Sequence, residues 1–240
     1  MDLHQMENGA FSCPSRKEKG FADWAQPCLT GNMVRTLNMF GYQDHPRVKK
    51  AINWMPEAQL DDGGWNCDWP EKEVKHSSFT STIEPLWAYS EIPRQKWTRK
   101  MKRSINQGAE FLLMHRVYKS DNHHRKPSLP FFTALHSPMY YFYDALHGLR
   151  VLTKLGYSDD ERVRDAVHLL LSKKGTDGKW VLDGDWDREL LEEKSHGEGR
   201  SFKERKRVVT LKELGKPSKR VTLNCYRALV KTGDLNLSRN

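Results

Sequence analysis

A gapless internal repeat restricts this chain more than any other feature. Residues 35–65, RTLNMFGYQDHPRVKKAINWMPEAQLDDGGW, align with residues 150–180, RVLTKLGYSDDERVRDAVHLLLSKKGTDGKW, at a constant offset of 115. Arg35/Arg150, Leu37/Leu152, Gly41/Gly156, Tyr42/Tyr157, Asp44/Asp159, Arg47/Arg162, Val48/Val163, Ala51/Ala166, Asp62/Asp177, Gly63/Gly178 and Trp65/Trp180 coincide. A repeat of this size is one supersecondary unit that cannot bury its apolar face alone, so copies must stack around a shared core.

Each copy reads as a helical hairpin. Val34, Leu37 and Phe40, like Leu149, Leu152 and Leu155, recur every third residue and end at a Gly suited to a helix C-terminus. A second helix then opens, with Asp44 or Asp159 as the expected cap and Pro46 in the first turn. Val48, Ala51, Ile52 and Met55 match Val163, Ala166, Val167 and Leu170 at i, i+3, i+4 and i+7. The Asp-Gly-x-Trp tail closes each copy with a turn and one large aromatic anchor. A degenerate copy lies between them: Ile83, Leu86 and Trp87 continue the first-helix stripe, and Met101, Ile105, Ala109 and Leu112 supply the partner helix. Pro217–Gly233 looks like the opening helix of a fourth unit. The expected fold is all-α, three hairpins and a half. Two stretches break the pattern: Tyr118–Leu135, read as a long connection, and the basic run 188–217, read as a solvated insertion or a lid.

With 240 residues the chain can bury a sizeable core. Its mean hydropathy of −0.80, and the lack of an apolar run near the ~18 residues that span a bilayer, argue against an integral membrane protein. No secretory signal is visible in MDLHQMENGAFSCPSRKEKG, so the expected compartment is a reducing cytoplasm, where the 4 cysteines would be free thiols or metal ligands. The net charge of +9 permits anionic partners. Nucleic acid ranks last among them, since no zinc finger, RNA-binding signature or helix-turn-helix pattern is present.

With GYxD, a helix and then DDGGW, the chain resembles the α/α-toroid repeat family of terpenoid cyclases and protein prenyltransferases, nearest to small prokaryotic prenyltransferase/squalene-cyclase repeat proteins. The resemblance covers residues 27–180 and 217–233. It implies a repeat domain over 27–233 that carries the basic insertion, flanked by an N-terminal extension 1–26 and a tail 234–240. It also implies inner and outer helices alternating around a partial ring, the N-terminal ends of the inner helices facing a cavity for an apolar, isoprenoid ligand. A partial ring suits a fragment or a homo-oligomer that covers the open edges. The Asp-x-Asp-Asp acid of the cyclases does not occur, and Tyr157-Ser158-Asp159-Asp160 reads as a helix cap instead. Asp61-Asp62-Gly63-Gly64-Trp65 lacks the second acidic arm of the Asp-Asp-x-x-Asp magnesium motif.

Prenyltransferases of that family hold one zinc with Asp, Cys and His. The resemblance points to Cys28, Cys67 and His76 for such a site, with Asp68 or His136 as a further ligand. The bland alternative makes Cys28 a core residue, Cys67 a turn residue and His76 a helix-start residue. Asp183, Asp185 and Asp187 offer a lesser site for magnesium with a diphosphate, or a solvated acidic loop. Trp87, Tyr140 and Tyr143, together with Phe79 and Tyr89, are candidates for an aromatic cavity wall or ordinary core. Arg35, Arg150, Arg47 and Arg162 would grip diphosphate or pair with nearby carboxylates; Lys219 and Arg220, at a helix start, are better placed to hold an anion. Three functions follow as expectations: zinc-dependent prenyl transfer or a related activity on an isoprenoid; a non-catalytic repeat scaffold or binding protein; or a carbohydrate-active toroid enzyme, hinted at by Trp186 between Asp185 and Asp187.

Overall fold

The computed structural model of the chain describes residues 4–12, 24–68, 73–120, 126–139, 142–184 and 214–235. Among these residues there are seven α-helices and only isolated β-bridges, so the fold is all-α. In chain order the helices are α1 (Pro27–Met39), α2 (Pro46–Trp54), α3 (Phe79–Ser90), α4 (Arg99–Met114), α5 (Ala145–Leu155), α6 (Arg164–Ser172) and α7 (Lys219–Lys231). Within the described part of the 118–135 stretch, Lys119 and Pro127 form a bridge, and Pro130–Thr133 makes a 3-10 turn. Among the described residues no helix is long and apolar enough to cross a membrane.

Helix ends follow local chemistry. Gly41 and Gly156, the repeat-equivalent residues after α1 and α5, take φ of +83° and +104°, the left-handed conformation that lets a chain leave a helix and that side chains with a Cβ resist. Pro46 opens α2, but its cap is His45, whose Nδ1 accepts from the Arg47 backbone N–H at 3.2 Å. Asp44 is displaced to the surface, where it pairs with Lys49 and Lys96. In the second copy Asp160, not Asp159, accepts from the Arg162 N–H at 2.9 Å and starts the short 3-10 turn that leads into α6. In both copies the residue nearest the helix took the cap, one place later than the aspartates that the repeat aligns.

The closing tryptophans are buried and identically held. Trp65 Nε1 donates to the Met55 carbonyl at 2.8 Å, and Trp180 Nε1 to the Leu170 carbonyl, its repeat equivalent, at 2.7 Å. The next helix is tied to each Trp by the same three bonds. The Trp backbone N–H donates to Thr82 or Thr222 Oγ1 at 3.0 Å in both copies, that hydroxyl donates back to the Trp carbonyl at 3.4 Å, and the Ser78 or Ser218 N–H reaches the same carbonyl at 2.8 or 2.9 Å. Both serines then cap their helices. The capping Ser follows Trp65 by 13 residues and Trp180 by 38, so the second copy carries a longer insertion yet returns to the same connection.

The chain divides into two compact units, Met1–Met114 and His115–Asn240. In the first, α1 and α3 make the most extensive helix contact. Gly31 permits it: a Cβ there would lie 2.5 Å from the Pro85 N and 2.6 Å from the Glu84 carbonyl carbon, so the two backbones touch. Helix α3 is buried almost all round, whereas α4 buries one face, with Met101, Ser104, Ile105, Gly108, Ala109, Phe111, Leu112 and Leu113, and turns the other to solvent. In the second unit α5 packs on α7, with Leu149, Leu152, Val167, Leu170, Trp180, Val221 and Leu229 fully or nearly fully buried.

Candidate functional site

Trp65 sets the position of the first candidate. Because its backbone is pinned to Thr82 on the first turn of α3, the residue two places on, Cys67, is delivered to the same helix end, where its N–H donates to Ser81 Oγ at 3.1 Å. Cys28 lies in the first turn of α1, its Cα 6.5 Å from that of Cys67, and the two form a disulfide. The expectation of free thiols is corrected here: residues 39 apart in sequence meet because the Trp65 turn folds back onto the start of α1. His76 is exposed, and its carbonyl accepts from Asn66 Nδ2 at 2.8 Å. The Asp68 N–H is held by Asn66 Oδ1 at 2.9 Å. Two thiolates and an imidazole are donors that suit zinc. Bonded sulfurs do not supply those thiolates, and among the described residues no group of three or more His, Cys, Asp or Glu is gathered to hold a metal.

A second cluster lies on the facing sides of α1 and α3. Arg35 stacks its guanidinium over the half-buried Trp87 ring, 3.9 Å from the centroid, and its Nη1 reaches Met39 Sδ at 3.5 Å. The Glu84 side chain is fully buried, and neither carboxyl oxygen has a hydrogen-bond partner among the described residues. Burial pushes its pKa up to about 8, with the Arg35 charge offsetting part of that rise, so at neutral pH it is mainly the neutral acid. Asn38 follows Arg35 by three residues, and both of its amide atoms are buried without a partner. Glu84 was not among the residues singled out from sequence. The available signal was an acid set between Ile83 and Pro85–Leu86–Trp87 in an otherwise uncharged stretch, 77–90.

The second unit holds the remaining candidates. His136 is buried; its Nδ1 lies 3.1 Å from Asp144 Oδ2, and its backbone N–H donates to the same oxygen at 3.0 Å. Asp144 Oδ1 accepts from the His147 N–H at 2.7 Å and so caps α5. These bonds make His136 part of a helix start. Tyr143 is buried with its hydroxyl donating to the Val117 carbonyl, a reach that Gly148 permits by lacking a Cβ. Lys219 and Arg220 sit exposed on the first turn of α7. Asp183 pairs with Lys173 and accepts from the Leu135 N–H. Cys225 is a buried free thiol, its pKa raised first by burial and then by Asp144 and Asp183. Tyr140, Asp185, Trp186 and Asp187, and nearly all of the 188–217 insertion, fall outside the described residues. The structure thus joins Cys28 to Cys67 and Arg35 to Trp87 in the first unit; in the second it bonds His136 to Asp144 at the start of α5, buries the adjacent Tyr143 against Val117 and leaves Lys219 and Arg220 exposed at the start of α7. Compared with protein-family models, curated proteins and solved structures, the chain matches none.

Proposed function

We propose that the protein is an α/α-repeat binding protein that holds an amphiphilic ligand of the isoprenoid diphosphate class against α1 and α3 of the first unit. The junction of Arg35 with Met39 carries this reading: a cation stacked on Trp87 adjoins an exposed apolar patch. Met39, Phe40 and Tyr42 are 66%, 75% and 51% exposed, while Leu155, the repeat counterpart of Phe40, is 4% exposed. A large apolar side chain, Phe40, left open beside Met39 and Tyr42 where its counterpart is closed marks a contact surface. Arg35 can take an anionic head bidentately, Trp87 fixes its plane, and Met39 with Phe40 receives the chain. The isoprenoid class comes from the family resemblance; the patch lies at the C-terminal end of α1, not at the N-terminal end that the resemblance implies.

Calorimetry with farnesyl diphosphate, farnesol and pyrophosphate tests the proposal. The diphosphate should bind more tightly than either half, and Arg35→Gln and Phe40→Ser should each weaken it about tenfold. Absence of saturable binding to folded wild-type protein refutes the reading, as does a homodimer that buries Phe40 and excludes the ligand.

A second reading, zinc-dependent prenyl transfer, draws on the meeting of Cys28 and Cys67. Bound zinc would activate a thiolate acceptor. In the disulfide form the residues do not fit it, so elemental mass spectrometry on reduced protein decides: stoichiometric zinc lost in a Cys28→Ala/Cys67→Ala variant favours transfer, and no zinc favours binding alone.

A further inference from the structure

A cavity of about 290 Å³ opens between the turn after α2 and the first turns of α4; Gln59, Asp61, Lys100, Arg103, Ser104 and Gln107 supply its polar lining. It shares no residue with the α1–α3 reading above. We propose that it is a binding site for a small phosphorylated polyol, of the sugar-phosphate class.

The walls are built in place by the backbone. Gly63 takes φ of +95° and lies directly on α4, where a Cβ would meet the Gln107 carbonyl oxygen at 2.5 Å. Gln59 Nε2 clamps the two sides by donating to the Gly63 carbonyl and, at 2.9 Å, to the Ser104 carbonyl. A site held this way needs little reordering when a ligand arrives.

The charges are asymmetric. Lys100 and Arg103 stand one turn apart on the same face of α4. Lys100 is engaged, with Glu57 Oε1 at 2.8 Å and the Asn53 carbonyl at 3.3 Å. No carboxylate pairs with Arg103 among the described residues, which leaves its planar donors for an oxyanion. Across the cavity the exposed Asp61 also has no ion pair among the described residues, whereas Asp62 is occupied by the Ser77 N–H at 2.7 Å and the Ser77 hydroxyl. One end therefore attracts an anion and the other accepts hydroxyl protons while repelling an anion. That polarity orients a ligand with phosphate at one end and hydroxyls at the other.

Ser104 closes the base of the cavity and is 1% exposed, its hydroxyl turned inward beside the buried Tyr89 hydroxyl. The volume lies at the lower edge of the roughly 300–1,000 Å³ common for ligand sites, which suits a monosaccharide ring with its phosphate rather than a nucleotide. The second repeat places Lys174 and Thr176 at the positions of Gln59 and Asp61, so the site belongs to the first unit.

Titration calorimetry of the full chain with glucose 6-phosphate, glucose and inorganic phosphate is the test, with circular dichroism to verify that the variants fold. Glucose 6-phosphate should bind saturably, about tenfold or more weakly in Arg103→Gln, and more weakly in Asp61→Asn. Equal binding of inorganic phosphate and glucose 6-phosphate would reduce the site to a simple anion contact and overturn the proposal. So would no saturable heat, or affinities unchanged in both variants.

Discussion

Glu84 shows how a residue that the repeat pattern passes over can end as a buried acid in a helix interface. Its burial raises the folded-state pKa from 4.5 to about 8. Between those values the folded chain binds more protons here than the unfolded chain does, so this group's contribution is fully present below about pH 4.5 and is lost as pH rises through 8. A shift of that size corresponds to on the order of 5 kcal/mol between the two limits. Glu84→Gln keeps the shape and removes the titration. Urea unfolding measured from pH 5 to pH 9 should therefore show stability falling in the wild type and a flatter profile in the variant. Parallel profiles would mean that the carboxyl is hydrated in solution. Sequence could not reveal this, because the cost of a buried acid depends on what surrounds it and not on its spacing. Cys28 and Cys67 show the same gap from the other side: both were legible as chemistry-bearing residues, but their bond depends on a turn pinned by Thr82.

Elements repeat more faithfully than residues. The two Trp–Thr–Ser constellations reuse the same donors and acceptors to within about a tenth of an ångström, although neither Thr lies inside the aligned segments. Thr82→Val and Thr222→Val should each destabilise by about 1–3 kcal/mol, since each leaves a Trp backbone N–H without its acceptor; chemical denaturation of the two variants checks this. Arg164 ties the start of α6 to the residues after α7 through two 2.8 Å bonds to Asp234. The Arg164 bond holds the Asp234 carboxyl below its usual range. Its contribution is present above the unfolded value near 3.8 and fades as pH falls through the lower folded value. Asp234→Asn should cost about 1 kcal/mol at pH 7 and progressively less in acid, as read from denaturation midpoints. The presence and type of the helices were legible because amphipathic period, proline and glycine act locally. The caps shifted by one residue because geometry, not residue type, chooses between adjacent polar side chains.

At the scale of the whole molecule, each unit has its own core and its own closing tryptophan. The disulfide closes a loop of 39 residues inside the first unit, which by loop-closure entropy contributes about 4 kcal/mol. Cys28→Ser/Cys67→Ser should lower the protection of amides in residues 27–114, and hydrogen exchange with mass spectrometry measures it; unchanged protection would show that the pair is not bonded in solution.

By itself the sequence determined the class of this protein: a helical period carried through an internal repeat predicts an all-α fold, and the described residues form seven α-helices and no sheet. The tertiary structure alone decided which of the chemistry-bearing residues meet. It joined Cys28 to Cys67, set Arg35 on Trp87 beside a buried Glu84, and opened a polar cavity between Asp61 and Arg103. The physical reason is range. Periodicity and capping are settled within a few neighbours along the chain, whereas burial, charge pairing and cavities arise between segments whose approach depends on every turn that lies between them.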